Sequence, residues 1–178
     1  QILNRLLQTN MEQSFGYGED VHCRSAADKI RKLCGREDLA VHFLVGGTQA
    51  NLTVIASALR PHQGVLGAIS AHIQVHETGA IESTGHKCLA LPPKDGRISA
   101  SQVSVATALQ ADDEHTVKPG MVYISQSTED GTTYTKAELE AISKVCRECG
   151  LPLFIDGARL GYALAAEGCD YTLNDIAN

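Results

Sequence analysis

The stretch Leu151-Pro152-Leu153-Phe154-Ile155-Asp156-Gly157-Ala158-Arg159 joins an apolar run to a carboxylate, two small residues and a guanidinium. Leu151 to Ile155 is short and apolar and runs into a glycine-containing turn, which predicts a strand leading into a helix over Arg159 to Ala166. The same alternation recurs upstream. Met121 to Ser125 precedes a helical pattern over Ala137 to Cys149, and Lys87 to Leu91 precedes one over Ala100 to Leu109. Val65 to Ile69 precedes Ile73 to Glu82. Leu39 to Val45, partly β-branched, ends at Gly46-Gly47, and Thr48 opens a helix carrying Leu52, Ile55, Ala56 and Leu59. Short apolar strands alternating with helices of about 10–15 residues call for a mainly parallel sheet with helical crossovers. The expected fold is therefore a three-layer α/β domain.

At the amino-terminal end, Ile2, Leu3, Leu6, Leu7 and Met11 fall at helical spacing before the polar stretch Ser14 to Glu19. Ala26, Ala27, Ile30, Leu33 and Cys34 form a second helical pattern, closed by Gly35 where a left-handed cap residue is common. The expected organisation is an amino-terminal helix and loop over residues 1–20, followed by one large domain over residues 21–178.

With 178 residues and 43% hydrophobic composition, the chain can bury one ordinary core. Its net charge of -6 and lack of basic clusters argue against nucleic acid or an anionic membrane surface as partner. No apolar run approaches the roughly 20 residues that cross a bilayer. Cys23, Cys34, Cys88, Cys146, Cys149 and Cys169 are scattered through predicted elements, which favours free thiols and a cytoplasmic location. The start at Gln1 without Met, and the stop at Asn178 inside the periodic run Leu173 to Ala177, predict a fragment of a longer protein.

In parallel sheets, ligands gather at the carboxyl ends of the strands, where loops converge and helix amino-termini point into one crevice. The residues there are Gly46-Gly47-Thr48, Ser70-Ala71-His72, Gln126-Ser127-Thr128 and Asp156-Gly157-Ala158-Arg159. Gly46-Gly47-Thr48 suits a phosphate, held by backbone N–H groups and a helix dipole, and equally suits an ordinary tight turn. It has neither the ending of a P-loop nor the glycine spacing of a dinucleotide fold. His72 and His76 share a helical face as half a zinc site would, although the glutamate of the metalloprotease motif is replaced by Ile73. His72 equally suits stacking on an aromatic cofactor.

Asp156 can simply cap the following helix. Held against a pyridine nitrogen, however, a carboxylate keeps that nitrogen protonated and makes the ring an electron sink, as pyridoxal chemistry requires. Arg159 suits the planar carboxylate of an amino-acid substrate. Cys146-x-x-Cys149 has no second pair at metal-ligand spacing and reads as helix packing, and Asp112-Asp113-Glu114 reads as a solvated acidic loop.

Taken together, the chain resembles the threonine aldolase branch of the β-eliminating lyases, pyridoxal-phosphate enzymes of the aspartate-aminotransferase-like fold. The matching stretches are Gly16-Tyr17-Gly18-Glu19-Asp20, Gly47-Thr48-Gln49-Ala50-Asn51-Leu52, Ser70-Ala71-His72-Ile73 with His76-Glu77-Thr78-Gly79, and Asp156-Gly157-Ala158-Arg159-Leu160. The resemblance implies that the backbone of Gly47 and Thr48 holds the cofactor phosphate, His72 stacks on the ring, Asp156 pairs with its nitrogen and Arg159 binds the substrate carboxylate. It places His115 near the substrate hydroxyl. The implied reaction cleaves the Cα–Cβ bond of β-hydroxy-α-amino acids such as threonine, in a homodimer or homotetramer with sites at subunit boundaries.

The sequence departs from the family twice. The family's Schiff-base lysine lies downstream of the Asp-x-x-Arg motif, and no lysine follows Lys144; Lys87 begins a predicted strand and reads as a surface residue. The family's amino-terminal Ser-Asp-Asn segment has no counterpart here. The chain as written is thus expected not to turn over. A metal-dependent hydrolase using His72 and His76, or a non-catalytic binding module, are the alternatives.

Overall fold

The computed structural model describes residues 1–178. They form two compact units, residues 1–43 with 173–178, and residues 44–172. The boundary expected at residue 20 falls inside the first unit.

The first unit holds α1 (Ile2–Thr9), α2 (Val21–Cys34) and the short α8 (Leu173–Ala177). Asp20 caps α2 by accepting from the backbone N–H groups of His22 and Cys23. Its hydrogen bonds to Cys23 and His22 hold its carboxyl down at about 2. Gly35 closes α2 at φ 65°, the left-handed conformation that a residue without Cβ adopts at no steric cost. Asn174 of α8 donates to the Cys34 carbonyl at 2.8 Å, and Arg36 donates to the Ala177 carbonyl at 2.9 Å. These bonds fasten the carboxyl-terminal helix to the end of α2.

The second unit contains α3 (Gly47–Ala58), β1 (Gln63–Ala68), α4 (His72–Val75), β2 (Lys87–Leu91), α5 (Ala100–Ala111), β3 (Lys118–Ser125), α6 (Lys136–Glu148), β4 (Leu153–Asp156) and α7 (Leu160–Ala165). Its four strands are ordered β2-β1-β3-β4 and all pair in parallel. Every β3 residue from Pro119 to Ser125 is buried, so the centre of the sheet is covered on both faces, as parallel strands require. Val65, Leu66, Met121, Val122 and Tyr123 supply its centre, with Ile55 of α3, Val103 of α5 and Ile142 of α6 packed among the buried core. Capping boxes start both long crossover helices, Ser99 with Gln102 on α5 and Thr135 with Glu138 on α6. The expected α/β class and parallel sheet are thus observed.

Three expectations are corrected. Leu39 to Val45 is not a strand. A strand exists only with a neighbour to bond, and this run pairs with none. The helix expected from Ile73 to Glu82 is a single turn, because Thr78 and Gly79 take φ 49° and 76°, which no right-handed helix tolerates. Asp156 is the last residue of β4 rather than the first after it, and α7 begins at Leu160 with Arg159 as its N-cap.

Candidate active site at the carboxyl ends of the strands

Asp156 pairs with Ser125 across the end of the sheet, so its carboxylate stands where β3 and β4 open into loops. Its Oδ2 accepts the Tyr123 hydroxyl at 2.6 Å and the Asn51 amide at 3.1 Å, and its Oδ1 accepts the Ala158 backbone N–H at 2.9 Å. Burial pushes this carboxyl up, but the bonds from Tyr123, Ala158 and Asn51, together with the nearby His72, outweigh it and hold Asp156 below its ordinary value. Tyr123 responds oppositely: burial, reinforced by the carboxylate beside it, drives its phenol well above the usual range. Asp156 is therefore an ionised acceptor built into the fold. It does not cap a helix.

The wall beside it comes from the segment after β1. His72 opens α4 with its side chain one-third exposed, and its Nδ1 lies 2.8 Å from Oε1 of Glu77, whose side chain is fully buried. The same oxygen accepts the Asn51 amide at 2.6 Å. The single turn of α4, ending at His76, leaves Glu77 within reach of His72, five residues away in sequence. Because Oε1 of Glu77 already accepts the Asn51 amide, its contact with His72 is made as acceptor, with Nδ1–H donating, which holds the imidazole in one orientation. Asn51 then links the two walls, donating from one nitrogen to both Glu77 and Asp156.

The third wall is α3. Asn51 lies four residues after Gly47, hence on the same helical face and about one turn further on. Gly46 precedes the helix without a side-chain cap, and a Cβ added at Gly46 or Gly47 would meet nothing within 4 Å. The first backbone N–H groups of this 12-residue helix have no side-chain cap, and the space beside the two glycines is open, as a seat for an anion requires. Thr48 is exposed in the same turn. Two buried oxygens lack protein partners at this end of the sheet, Ser70 Oγ and Glu77 Oε2.

Arg159 donates from Nε to the Ser127 carbonyl at 3.1 Å and from Nη2 to Glu129 at 2.6 Å. Asp156 ends β4 and Arg159 follows on the turn after it, with His72 close enough to act on the Asp156 charge. His115 is not brought to this site. It lies in the exposed loop before Lys118, where β3 begins, and the strand then runs about 23 Å to Ser125 at roughly 3.3 Å per residue. Lys87 is likewise at the amino end, exposed at the start of β2 opposite Gly64.

His76 stands with its ring 5.4 Å from that of His72, tilted by 49°. No group of three His, Cys, Asp or Glu side chains gathers in metal-binding geometry. The paired-histidine zinc reading therefore lacks a third ligand within this chain. Sequence reasoning missed Glu77, Asn51, Tyr123 and Glu129, although Asn51 and Glu77 lie inside stretches already singled out.

Against this geometry, the model of the beta-eliminating lyase family matches residues 1–173. The chain is 39% identical over 155 residues to a low specificity L-threonine aldolase from a Pseudomonas species, covering 86% of this chain and 44% of that protein. It is 28% identical over 169 residues to the low specificity L-threonine aldolase of Saccharomyces cerevisiae, covering 92% of this chain and 43% of that one. The solved threonine aldolase of Leishmania major superposes with a TM-score of 0.95 at 49% identity, over 98% of this chain and 51% of that one. An archaeal alanine:glyoxylate aminotransferase, at TM-score 0.76 and 18% identity, shares the fold.

A parallel sheet with a carboxylate and an imidazole fixed at its carboxyl edge is thus set in the aminotransferase-type fold of pyridoxal-phosphate enzymes. The chain belongs to the beta-eliminating lyase family. It spans about half the length of the relatives it matches.

Proposed function

We propose that the protein carrying this chain is a pyridoxal-phosphate-dependent lyase that cleaves the Cα–Cβ bond of β-hydroxy-α-amino acids, threonine giving glycine and acetaldehyde. The observation that carries this reading is the ionised Asp156, held by three hydrogen bonds beside the one-third exposed ring of His72. The residues suit the cofactor. Gly47 and Thr48 offer backbone N–H groups and open space to a phosphate, His72 offers a flat ring for stacking, and Asp156 offers the acceptor a protonated pyridine nitrogen needs. Pyridoxal phosphate, when bound, supplies an electron sink for the carbanion left by bond cleavage.

The chain's own residues do the rest. Asp156 holds a proton at the ring nitrogen because Tyr123, Asn51 and Ala158 keep it ionised in a partly buried place. Glu77 and Asn51 keep His72 in one orientation against the ring. Arg159 binds and orients the substrate carboxylate. The expected dimer or tetramer belongs to the same proposal, supported by the exposed apolar residues Ile2, Leu3, Leu6 and Leu7 of α1. No helix is long and apolar enough to cross a membrane, and the six unpaired cysteines support the cytoplasmic assignment.

The test uses a full-length protein carrying this sequence, incubated with pyridoxal phosphate and L-threonine. A visible absorbance band from bound cofactor and the release of glycine and acetaldehyde are expected. A colourless protein that cleaves no β-hydroxy amino acid overturns the proposal.

A further inference from the structure

We infer that Glu129 is a positioning residue that presets which edge of the Arg159 guanidinium meets the substrate carboxylate, an inference that rests on the proposed role of Arg159. After β3 the chain stays buried through Gln126, Ser127 and Thr128 and reaches Glu129 as it turns away from the sheet. A guanidinium has two edges that can grip a carboxylate with parallel bonds, Nε with Nη2 and Nη1 with Nη2. The protein consumes the first. Nε donates to the Ser127 carbonyl at 3.1 Å, and Nη2 donates to Glu129 Oε1 at 2.6 Å. Glu129 is itself tethered, because the same Oε1 accepts the Ser125 hydroxyl at 2.9 Å. Its side chain is only 12% exposed, against 34% for Arg159, so the clamp is built from the protein side and the guanidinium faces outward.

The Nη1–Nη2 edge is therefore the one presented to an incoming carboxylate. Ser125 and Asp156 are direct partners across β3 and β4, so the clamp and the cofactor-facing carboxylate share one rung of the sheet. Glu129 has a second possible effect, since its charge opposes an anionic substrate. The two effects separate by geometry. Orientation depends on where the acceptor oxygen sits; repulsion depends on the charge alone.

The experiment compares E129D and E129Q in the full-length holoenzyme, with R159A as reference, reading KM and kcat for threonine separately. Asp keeps the charge but cannot reach both Ser125 and Arg159, so E129D is expected to raise KM about five- to tenfold with kcat near wild type, as loss of a positioning contact does. Gln keeps an acceptor oxygen at the original distance, so E129Q is expected to stay within about twofold of wild type. A wild-type KM in E129D, or a lowered KM in E129Q, overturns the inference. R159A reports on the underlying assignment: if it leaves KM unchanged, the carboxylate role of Arg159 fails. If R159A raises KM while E129D does not, that role stands and the clamp alone is wrong.

Discussion

The two ends of the parallel sheet use their polar side chains in opposite ways. At the amino end, Lys118 donates from Nζ to the carbonyls of Gln110, Ala111 and Asp113 at 2.5, 3.1 and 2.6 Å, closing the carboxyl-terminal turn of α5. His86 lies with Nδ1 3.1 Å from the Gln63 carbonyl. Each of these groups ends on backbone. At the carboxyl end, Asp156, Tyr123, Asn51, Glu77, His72, Arg159 and Glu129 bond chiefly to one another. A charge that satisfies a helix end stabilises the fold, whereas charges that satisfy each other in a partly open place can exchange a partner for a ligand. That difference, rather than the presence of titratable residues, marks the site.

The contrast can be broken most forcefully at Asp156. D156A in the full-length protein should lower threonine cleavage by at least about a hundredfold, the scale on which a fixed electrostatic partner acts, and should weaken retention of the cofactor in a spectrophotometric titration. Replacing Asn51 by Leu comes next. It leaves Glu77 and Asp156 each short of a donor, and should destabilise the protein by about 2 kcal/mol in urea unfolding.

Y123F removes one bond to Asp156 and should raise that carboxyl toward its ordinary value. A carboxylate held low stabilises the folded state at pH above its ordinary 3.8 and loses that contribution as the pH falls through the depressed value. Unfolding followed from about pH 5 down to pH 2 should therefore be less steeply pH-dependent in Y123F than in the parent. At the amino end, K118M should cost about 1 kcal/mol in thermal unfolding and leave cofactor binding untouched. H115A should have the smallest effect, within about 0.5 kcal/mol of stability and with unchanged KM. A large loss of activity in H115A would show that a residue at the wrong end of its own sheet serves a site elsewhere.

Much of this contrast could be read in the linear chain, for identifiable reasons. Val65 and Met121 lie in strands because buried parallel strands are largely apolar, a signal carried by each run alone. The placing of Asp156, Arg159 and His72 was legible because the rule about strand ends needs only the order of elements, whereas Gly47 follows no strand and opens α3 instead. Leu39 to Val45 misled because a strand depends on a neighbour, and the helix after His72 misled because Thr78 turns left-handed. The supporting residues were hidden for a further reason. Asn51 meets Glu77 and Asp156 across 26 and 105 positions, Tyr123 meets Asp156 across 33 and Arg159 meets Glu129 across 30. No local pattern encodes such pairs.

The amide of Asn51 has one nitrogen and serves two carboxylates with it. A shift of the imidazole that drags Glu77 must stretch or tighten the bond to Asp156, because the two N–H groups of one rigid amide reach the two carboxylates, so the placement of His72 and the charge of Asp156 are coupled through one side chain. Substitutions at His72 and Tyr123, on opposite sides of that amide, should therefore fail to add, by about 0.5–3 kcal/mol in a double-mutant cycle. For anyone reshaping this pocket, altering the His72 wall without retuning Asp156 is not available as a separate adjustment.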